Sequence, residues 1–341
     1  MASQPPPRYR VCLIGSGGVG TIASLVLTKS GLAHVTCVLR SKYDYVSQHG
    51  WDIDSIDHGK IPGWKPHRIT RSAVEAARDD NGGLDPVVEY DYVVVCTKQL
   101  PSVNPVAAII SPVMTVGRTT VVLIQNGMGI EEDVIEAWPG NVVMSSVSHI
   151  GSWVEEPNGV VQTGKDVSKM GPHLHAGIED SVSVERARRF VEMYVRGGGE
   201  ACELVEDIQV ARWEKVLWNG TFNTVCALMR MDVGELQRSK GREAILVPMM
   251  WEIWNTAKVA GHPMPESIVE WMAYRLPDDC SYRPSMLLDL ENGRPMELEV
   301  ILGNVLKKAQ LLGVDTPCMA TVYKLLKLEE WKGDQRRSGK A

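Results

Sequence analysis

Residues 10–27 read RVCLIGSGGVGTIASLVL, an apolar run that leads into three spaced glycines and then into a second apolar run. The pattern predicts a strand, a tight turn and a helix in that order. Gly15 permits the turn, Gly17 lets the backbone approach a pyrophosphate, and Gly20 lets the helix pack closely on the strand. A helix N-terminus also attracts anionic phosphates. The predicted site is a dinucleotide-binding turn, formed by Gly15, Ser16, Gly17, Gly18, Val19 and Gly20.

The next predicted strand, residues 34–39, ends at Arg40. An NAD site usually carries an acidic residue about 20 residues past the glycines, where it binds the ribose 2′-OH. Arg40 stands at that place, and Ser41 and Lys42 follow it. A guanidinium suits the 2′-phosphate of NADP, because it can form paired charged hydrogen bonds. We therefore expect NADPH as the cofactor; the alternative is an arginine on a solvated loop.

Composition excludes several classes of protein. The chain has 341 residues, a length that favours two domains, and its net charge of -6 argues against a nucleic-acid-binding surface. No run approaches 18 apolar residues and the first residues lack an apolar signal core, so we expect no membrane association. Seven cysteines occur without a C-x-x-C pair, which predicts buried free thiols, no metal site and a cytoplasmic location.

The first part of the chain alternates predicted strands and helices, and from about Asp207 helical periodicity dominates. The predictions are strands at residues 92–96, 120–124 and 141–147, a helix near residues 72–78, a loop at residues 79–83, and a turn at residues 157–159 between strands. The fold class is α/β. We expect an N-terminal Rossmann NADP-binding domain over residues 1–206 and a C-terminal all-helical domain for substrate and catalysis over residues 207–341.

Polar side chains follow two of these strands directly. Lys98 and Gln99 follow the strand at residues 92–96, and Gln125 and Asn126 follow the strand at residues 120–124. Ligands of open parallel sheets bind beyond the carboxyl ends of the strands. We expect Lys98, Gln99 and Asn126 to border the cofactor, while ordinary loop polarity remains the alternative.

Three polar residues recur at a spacing of four in an otherwise apolar helix. Lys215, Asn219 and Asn223 would lie along one helical face, and neighbours such as Leu217 and Phe222 are apolar. Burying such polar groups without partners is costly, so a polar ligand would satisfy them. The alternative is a lysine that reaches solvent and two asparagines with structural roles.

Two further candidates lie near residue 290. Ser285 begins a predicted helix, where a purely structural role as its N-cap is an alternative. Glu297 lies in an amphipathic stretch, where it could be a surface acid.

Together these segments resemble the ketopantoate reductase (2-dehydropantoate 2-reductase) family over nearly the whole chain. The resemblance rests on the order and spacing of residues 15–20, 97–99, 125–127, the Lys215 helix, residues 285–289, 293–297 and 313–317. It implies NADPH-dependent reduction of 2-dehydropantoate to pantoate in pantothenate biosynthesis.

The resemblance also implies a role for each matching residue. Lys215 would be the general acid, and Glu297 would hold the substrate hydroxyl. The substrate would also be bound by Asn219, Asn223, Ser285 and Asn126. The nicotinamide end would be bordered by Asn126 and Lys98, and Arg40 would bind the 2′-phosphate.

The chain departs from the family pattern at Tyr282, where Asn is common, at Met296, where Thr is usual, and at Cys318, where Asn is typical. The first two departures lie in substrate-side segments, so a reductase of another carbonyl substrate stays an alternative. A non-catalytic NADP-binding regulator is a third possibility, but a sensor would need few of the residues that match. We also expect a small-molecule 2-oxo acid as the substrate, no nucleic-acid or membrane partner, and a homodimer.

Overall fold

The computed structural model describes residues 9–78 and 88–338, and the loop predicted at residues 79–83 lies outside them. The described chain divides into two units. The first comprises the described residues up to Lys98, with Asn104–Gln125 and Glu131–Ile208; the second comprises Gln99–Val103, Asn126–Ile130 and the described residues from Gln209 onward. Two short segments that follow strands of the first unit therefore belong to the second.

Ten strands of the described chain form one sheet. They are β1 (Tyr9–Ile14), β2 (Ala33–Val38), β3 (Trp51–Ser55), β4 (Gly59–Trp64), β5 (Arg68–Thr70), β6 (Tyr92–Val95), β7 (Thr120–Leu123), β8 (Val143–Glu155), β9 (Gly159–Pro172) and β10 (Cys202–Leu204).

The parallel part of the sheet has the order β5-β2-β1-β6-β7-β8, which is the Rossmann order with β1 at the switch point. The central strands are apolar on both faces because both faces are covered, and Val93, Val94 and Val95 have no exposed surface. The predicted Rossmann fold is confirmed.

A second group of strands extends this sheet beyond β8. Strand β9 runs antiparallel to β8, β3 pairs in parallel with β9, and β4 forms an antiparallel edge on β3. The sequence patterns predicted neither β3 nor β4. Residues 51–55 are alternately buried and exposed, as in a half-buried strand, but the partner of β3 in β9 lies about a hundred residues away, so no local signal indicates that pairing.

The helices of the first unit are α1 (Gly18–Lys29), α2 (Tyr43–His49), α3 (Ala73–Ala76), α4 (Val106–Ile110), α5 (Glu132–Ala137) and α6 (Asp180–Arg196). Helix α1 is buried along most of its length and packs on the sheet beside α6. Phe190 of α6 contacts Tyr92 of β6 with ring centroids 5.2 Å apart, which places an aromatic pair in this core.

The second unit is helical in its described residues from Gln209 onward. Its helices are α7 (Gln209–Trp218), α8 (Thr224–Met229), α9 (Val233–Arg238), α10 (Val247–Val259), α11 (Ser267–Tyr274), α12 (Ser285–Glu291), α13 (Asn304–Leu311) and α14 (Pro317–Arg337). Three π-helical turns occur in these residues: Asn219–Asn223 joins α7 to α8, Arg242–Leu246 leads into α10, and Glu299–Gly303 leads into α13. Within the described chain no helix combines the length and apolar character that a membrane crossing requires.

Candidate active site

The glycine turn has the geometry that its sequence predicts. Gly15 has φ +100°, and a Cβ added to it would lie 2.6 Å from the backbone nitrogen of Thr97. A Cβ at Gly20 would lie 1.9 Å from the carbonyl oxygen of Gly15, so helix and strand approach too closely for a side chain. Gly17, the residue before α1, has no described atom within 4 Å of such a Cβ. The space over the helix N-terminus is open at the point where a pyrophosphate would approach.

Ser16 presents a hydroxyl in the same turn. Its Oγ is buried, and apart from the nearby Cys37 thiol it has no hydrogen-bonding partner in the described chain. Burial raises the pKa of the Cys37 thiol to about 12, while the hydroxyls of Ser24 and Ser16 oppose the rise. The thiol is a weak hydrogen-bonding group, so the Ser16 hydroxyl remains suited to an anion. The open turn and this hydroxyl together fit the phosphates of a dinucleotide.

Arg40 is the residue predicted to bind the ribose 2′-phosphate. Strand β2 ends at Val38, and the Arg40 side chain, two residues later, is exposed to solvent. No carboxylate of the described chain pairs with it, so its charge is available to a phosphate.

The segments after β6 and β7 hold the other predicted cofactor residues. Within the first unit, Gln125 Nε2 donates to the Thr97 carbonyl at 2.7 Å, which ties the ends of the two strands together. Lys98 is exposed. Gln99 and Asn126 fall in the second unit, where the Gln99 backbone amide donates to Glu297 Oε1 at 2.8 Å and Asn126 is half-buried.

Hydrogen bonds to their main-chain atoms hold residues 126–130 in place, and the sequence did not predict these bonds. Gly127 has φ +105°, and a Cβ there would lie 2.6 Å from Cβ of Val300. The buried Arg212 donates from Nη1 to the Gly127 carbonyl at 2.8 Å, and the Met128 amide donates to the Val300 carbonyl at 2.7 Å. Asn304 Nδ2 also donates to the Met128 carbonyl at 2.8 Å. The local indication of these contacts in the sequence was Arg212, an arginine in the apolar stretch of α7 three residues before Lys215.

Asn219, Asn223 and Ser285 form a cluster of amide and hydroxyl groups. Asn223 Nδ2 lies 3.3 Å from Asn219 Oδ1 and 3.3 Å from Ser285 Oγ, and both asparagines are at least 95% buried. The segment that contains Lys215, Asn219 and Asn223 is helical as predicted, but its geometry changes, since α7 ends at Trp218 and the asparagines delimit a π-helical turn. Such turns recur at functional sites.

The N-cap role considered for Ser285 was also wrong. Pro284 precedes α12 as its cap, and Ser285 is the first helical residue. Its hydroxyl therefore contacts Asn223 instead of closing the helix end.

Lys215 and Glu297 complete the predicted site residues. Lys215 is half-buried in the last turn of α7, four residues before Asn219. Glu297 is half-buried just before the π-helical turn at Glu299–Gly303, and its backbone carbonyl accepts from the Ile301 amide. The second unit thus contains an ammonium, a carboxylate, two amides and a hydroxyl, a set that can bind and protonate a polar substrate.

The departures from the family pattern fall in different environments. The Tyr282 ring lies 6.3 Å from the Trp218 ring, and the Arg275 guanidinium lies 5.2 Å from the same Trp218 ring. Met296 is buried. Cys318 lies in the first turn of α14, where its amide donates to Glu252 Oε1 at 2.8 Å. Of the three departures, Tyr282 is the one whose ring lies beside Trp218, the residue that precedes Asn219.

A Rossmann unit with an open glycine turn and a helical unit with this polar set define the class of NAD(P)-dependent oxidoreductases. The protein-family model described as Ketopantoate reductase PanE/ApbA matches residues 11–175. The model described as Ketopantoate reductase PanE/ApbA C terminal matches residues 207–330. The chain belongs to the ketopantoate reductase family.

Individual relatives are similar to this chain over nearly its whole length. An uncharacterised protein of Saccharomyces cerevisiae is 34% identical over 96% of this chain and 95% of its own length. A 2-dehydropantoate 2-reductase of Nostoc sp. is 26% identical over 93% of this chain and 94% of its own length. The crystal structure of 2-dehydropantoate 2-reductase from Methylococcus capsulatus has a TM-score of 0.80 and 29% identity, and covers 95% of this chain and 97% of its own.

Proposed function

We propose that this protein is an NADPH-dependent reductase that converts 2-dehydropantoate (ketopantoate) to pantoate in pantothenate biosynthesis, the route to coenzyme A. We assign cofactor binding to residues 1–206 and substrate binding and catalysis to residues 207–341. The observation that carries the proposal is the pair of buried amides of Asn219 and Asn223, which begins four residues after Lys215 and contacts the hydroxyl of the exposed Ser285. Burying amides is costly without partners of matching polarity, and a polar substrate would be such a partner.

Lys215 is the proposed general acid. When bound, the nicotinamide supplies a hydride to the substrate carbonyl carbon, and the carbonyl oxygen then gains negative charge. The Lys215 ammonium stabilises that charge and transfers one proton to the oxygen, which leaves a neutral amine and an alcohol. The amine regains its proton from solvent.

The remaining polar residues orient the substrate. Asn219 and Asn223 donate to its oxygens, Ser285 binds its carboxylate, Asn126 lies beside the reacting carbonyl, and Glu297 accepts from its hydroxyl. Amides and a hydroxyl suit this task, because they offer directed donors without adding a charge that would have to be paired when the site is empty.

The glycine turn, Arg40, Lys98, Gln99 and Asn126 bind the cofactor in this proposal. The open space over Gly17 and the buried Ser16 hydroxyl support the pyrophosphate position. The exposed guanidinium of Arg40 supports NADPH over NADH.

The direct test is NADPH oxidation by the purified protein with ketopantoate, compared with a panel of other 2-oxo acids and with NADH as control. Turnover with ketopantoate at a typical enzymatic rate is the expected result. NADPH binding without turnover of any 2-oxo acid would contradict the proposal and support an NADP-binding regulator. Thermal unfolding separates these outcomes, since a regulator would be stabilised by NADP⁺ alone and ketopantoate would add nothing.

A second candidate function is reduction of a different carbonyl compound. It is favoured by Tyr282, because the ring of this residue lies beside Trp218, the residue that precedes Asn219. A larger apolar surface at that point would suit a bulkier substrate than ketopantoate. The same panel tests this candidate, and a Tyr282→Asn variant should then shift activity toward ketopantoate.

Location and assembly follow as further proposals. All seven cysteines are free thiols, which supports a reducing compartment such as the cytoplasm. Large apolar side chains are exposed on helices of the second unit, among them Trp251, Trp271 and Trp331, which supports a homodimer through that unit. Light scattering of the purified protein tests the assembly, and cell fractionation tests the location.

A further inference from the structure

One arm of the β8–β9 hairpin runs along the dinucleotide end of the first unit. We define the hairpin arm as residues 152–157. A Cβ added to Gly18 would lie 2.6 Å from the carbonyl carbon of Ser152 and from the nitrogen of Trp153, so the arm touches the first residue of α1. At its other end, Lys42 forms an ion pair with Glu156 and donates to the Pro157 carbonyl at 3.0 Å. The arm thus joins the glycine turn to the residues that follow β2.

Three cations lie near the end of β2, and their environments differ. The Arg71 guanidinium binds the Asp44 carboxylate and stacks over the Tyr43 ring at 4.0 Å. The Lys42 ammonium is neutralised by Glu156, while Arg40 has no carboxylate partner within the described chain. Arg40 is therefore the cation that a 2′-phosphate would meet without competition, and Lys42 is a second cation that is already paired.

The two partners of the Lys42 ion pair are not equally constrained. The Lys42 side chain is 22% exposed, whereas the Glu156 side chain is 82% exposed. The Pro157 carbonyl holds the ammonium as well, so Lys42 stays in position if Glu156 moves away. An exposed ion pair is weak, and a phosphate that carries more charge and more acceptor oxygens than a carboxylate is a stronger partner for an ammonium.

We propose that Glu156 limits the affinity of this chain for NADPH, and so its preference for NADPH over NADH, by occupying the Lys42 ammonium that would otherwise bind the ribose 2′-phosphate. When NADPH binds, its 2′-phosphate takes the Lys42 ammonium and the Glu156 carboxylate moves into solvent. When NADH binds, the ion pair stays as it is. This inference rests on the proposed use of NADPH. It goes beyond the role of Arg40, because it assigns to Glu156 of the hairpin arm a competition with the 2′-phosphate for Lys42.

The test measures dissociation constants of NADPH, NADH and 2′,5′-ADP for the full chain and its variants. Glu156→Gln removes the competitor, so NADPH and 2′,5′-ADP should bind about 2–5-fold more tightly while NADH changes less than about 2-fold. Lys42→Met should weaken NADPH about 10-fold or more and leave NADH unchanged. The double variant should match Lys42→Met, because Glu156 acts only through Lys42.

Glu155→Gln is the matched control. Glu155 lies on the same arm and accepts from Trp153 Nε1 at 3.1 Å, and its substitution makes the same change in net charge. It should leave both cofactors unchanged. Lys42→Arg retains the cation and should keep the NADPH preference, which separates loss of charge from misfolding in Lys42→Met.

The outcomes distinguish the inference from the proposed function. If the parent protein prefers NADPH but Glu156→Gln binds it no more tightly, or if Glu155→Gln has the same effect, this inference is overturned and the proposed function stands. If the parent binds NADPH and NADH equally, both the proposed cofactor and this inference are overturned. Added salt should shrink the difference between parent and Glu156→Gln if it arises from charge; a difference that salt leaves unchanged counts against the inference.

Discussion

The Gln99 backbone amide donates a 2.8 Å hydrogen bond to the Glu297 carboxylate, although 198 positions separate the two residues in the chain. The contact places a predicted cofactor residue against a predicted catalytic residue. It gives Glu297 a structural task, the holding of residues 99–103, in addition to the proposed one of binding the substrate hydroxyl.

Substitutions at Glu297 can separate the two tasks. Glu297→Gln keeps an accepting oxygen for the Gln99 amide but loses the charge, so we expect the melting temperature to stay near that of the parent. If the carboxylate binds substrate, kcat/KM should fall about 10–100-fold, as for loss of a charged hydrogen bond. Glu297→Ala should lower both quantities. If Glu297→Gln has the activity of the parent, the carboxylate does not bind substrate and Glu297 has only a structural role.

Removal of the proposed acid should affect turnover most. We expect Lys215→Ala to lower kcat about 10²–10⁴-fold, the usual range for a general acid, with little change in the affinity for NADPH. Lys324→Ala, at an exposed position of α14, is the control and should turn over normally. Steady-state and binding measurements together check this, and a Lys215→Ala enzyme with near-normal kcat would remove Lys215 from the mechanism.

Loss of the central amide should weaken substrate binding. Asn223 contacts both Asn219 and Ser285, so Asn223→Ala removes the group that joins the cluster. We expect the KM for substrate to rise about 5–10-fold, with the dissociation constant of NADPH unchanged. Asn292→Ala, at an exposed amide after α12, should leave both values as they are. A rise in the NADPH constant instead would show that the cluster serves the cofactor.

Gly127 should not tolerate a side chain. Its φ of +105° strains any L-residue, and the new Cβ would lie 2.6 Å from Cβ of Val300. We expect Gly127→Ala to lower the free energy of unfolding by about 2–5 kcal/mol, as the sum of strain and overpacking. Gly261→Ala has a similar φ of +89° but open space, and should cost about 1–2 kcal/mol. Equal losses in denaturant unfolding would mean that the contact with Val300 adds nothing.

Asp166 should make stability depend on pH. Burial raises the pKa of its carboxyl above the ordinary value, although the hydroxyls of Tyr194 and Ser148 donate to it at 2.6 and 3.1 Å; Asp57 adds to the rise and His58 opposes it. A raised pKa in the folded state favours the protonated acid. The stabilisation is therefore complete below the unfolded pKa near 3.8 and is lost as pH rises through the folded pKa.

Asp166→Asn should remove this dependence. Relative to the variant, the parent should lose up to about 1.4 kcal/mol of unfolding free energy per pH unit between the two pKa values. Asp54→Asn, at an exposed carboxylate paired with Lys60, is the control and should follow the parent. Denaturant unfolding from acidic to neutral pH measures the difference, and parallel curves for parent and Asp166→Asn would contradict the prediction.

Local sequence patterns were sufficient for the Rossmann elements. Strands β1, β6 and β7 appear as continuous apolar runs, and the spacing of Gly15, Gly17 and Gly20 predicts the turn, because each signal depends only on neighbouring residues. Strands β3 and β4 escaped prediction because they form a short hairpin that joins the sheet only through β9, about a hundred residues later. The π-helical turn at Asn219–Asn223 escaped because a spacing of four residues is the same in sequence whether or not the helix widens.

By itself the sequence determined the family, the Rossmann order of elements and the residue types of the candidate site. Only the tertiary structure decided which of those residues meet. The Gln99–Glu297 hydrogen bond, the support of Gly127 by Arg212 and the Lys42–Glu156 ion pair each join residues more than 80 positions apart. Such contacts depend on how strands pair and helices pack, and local periodicity does not reveal them. The ion pair of Lys42, and the lack of a carboxylate partner for Arg40 among the described residues, could therefore be recognised only in the folded chain.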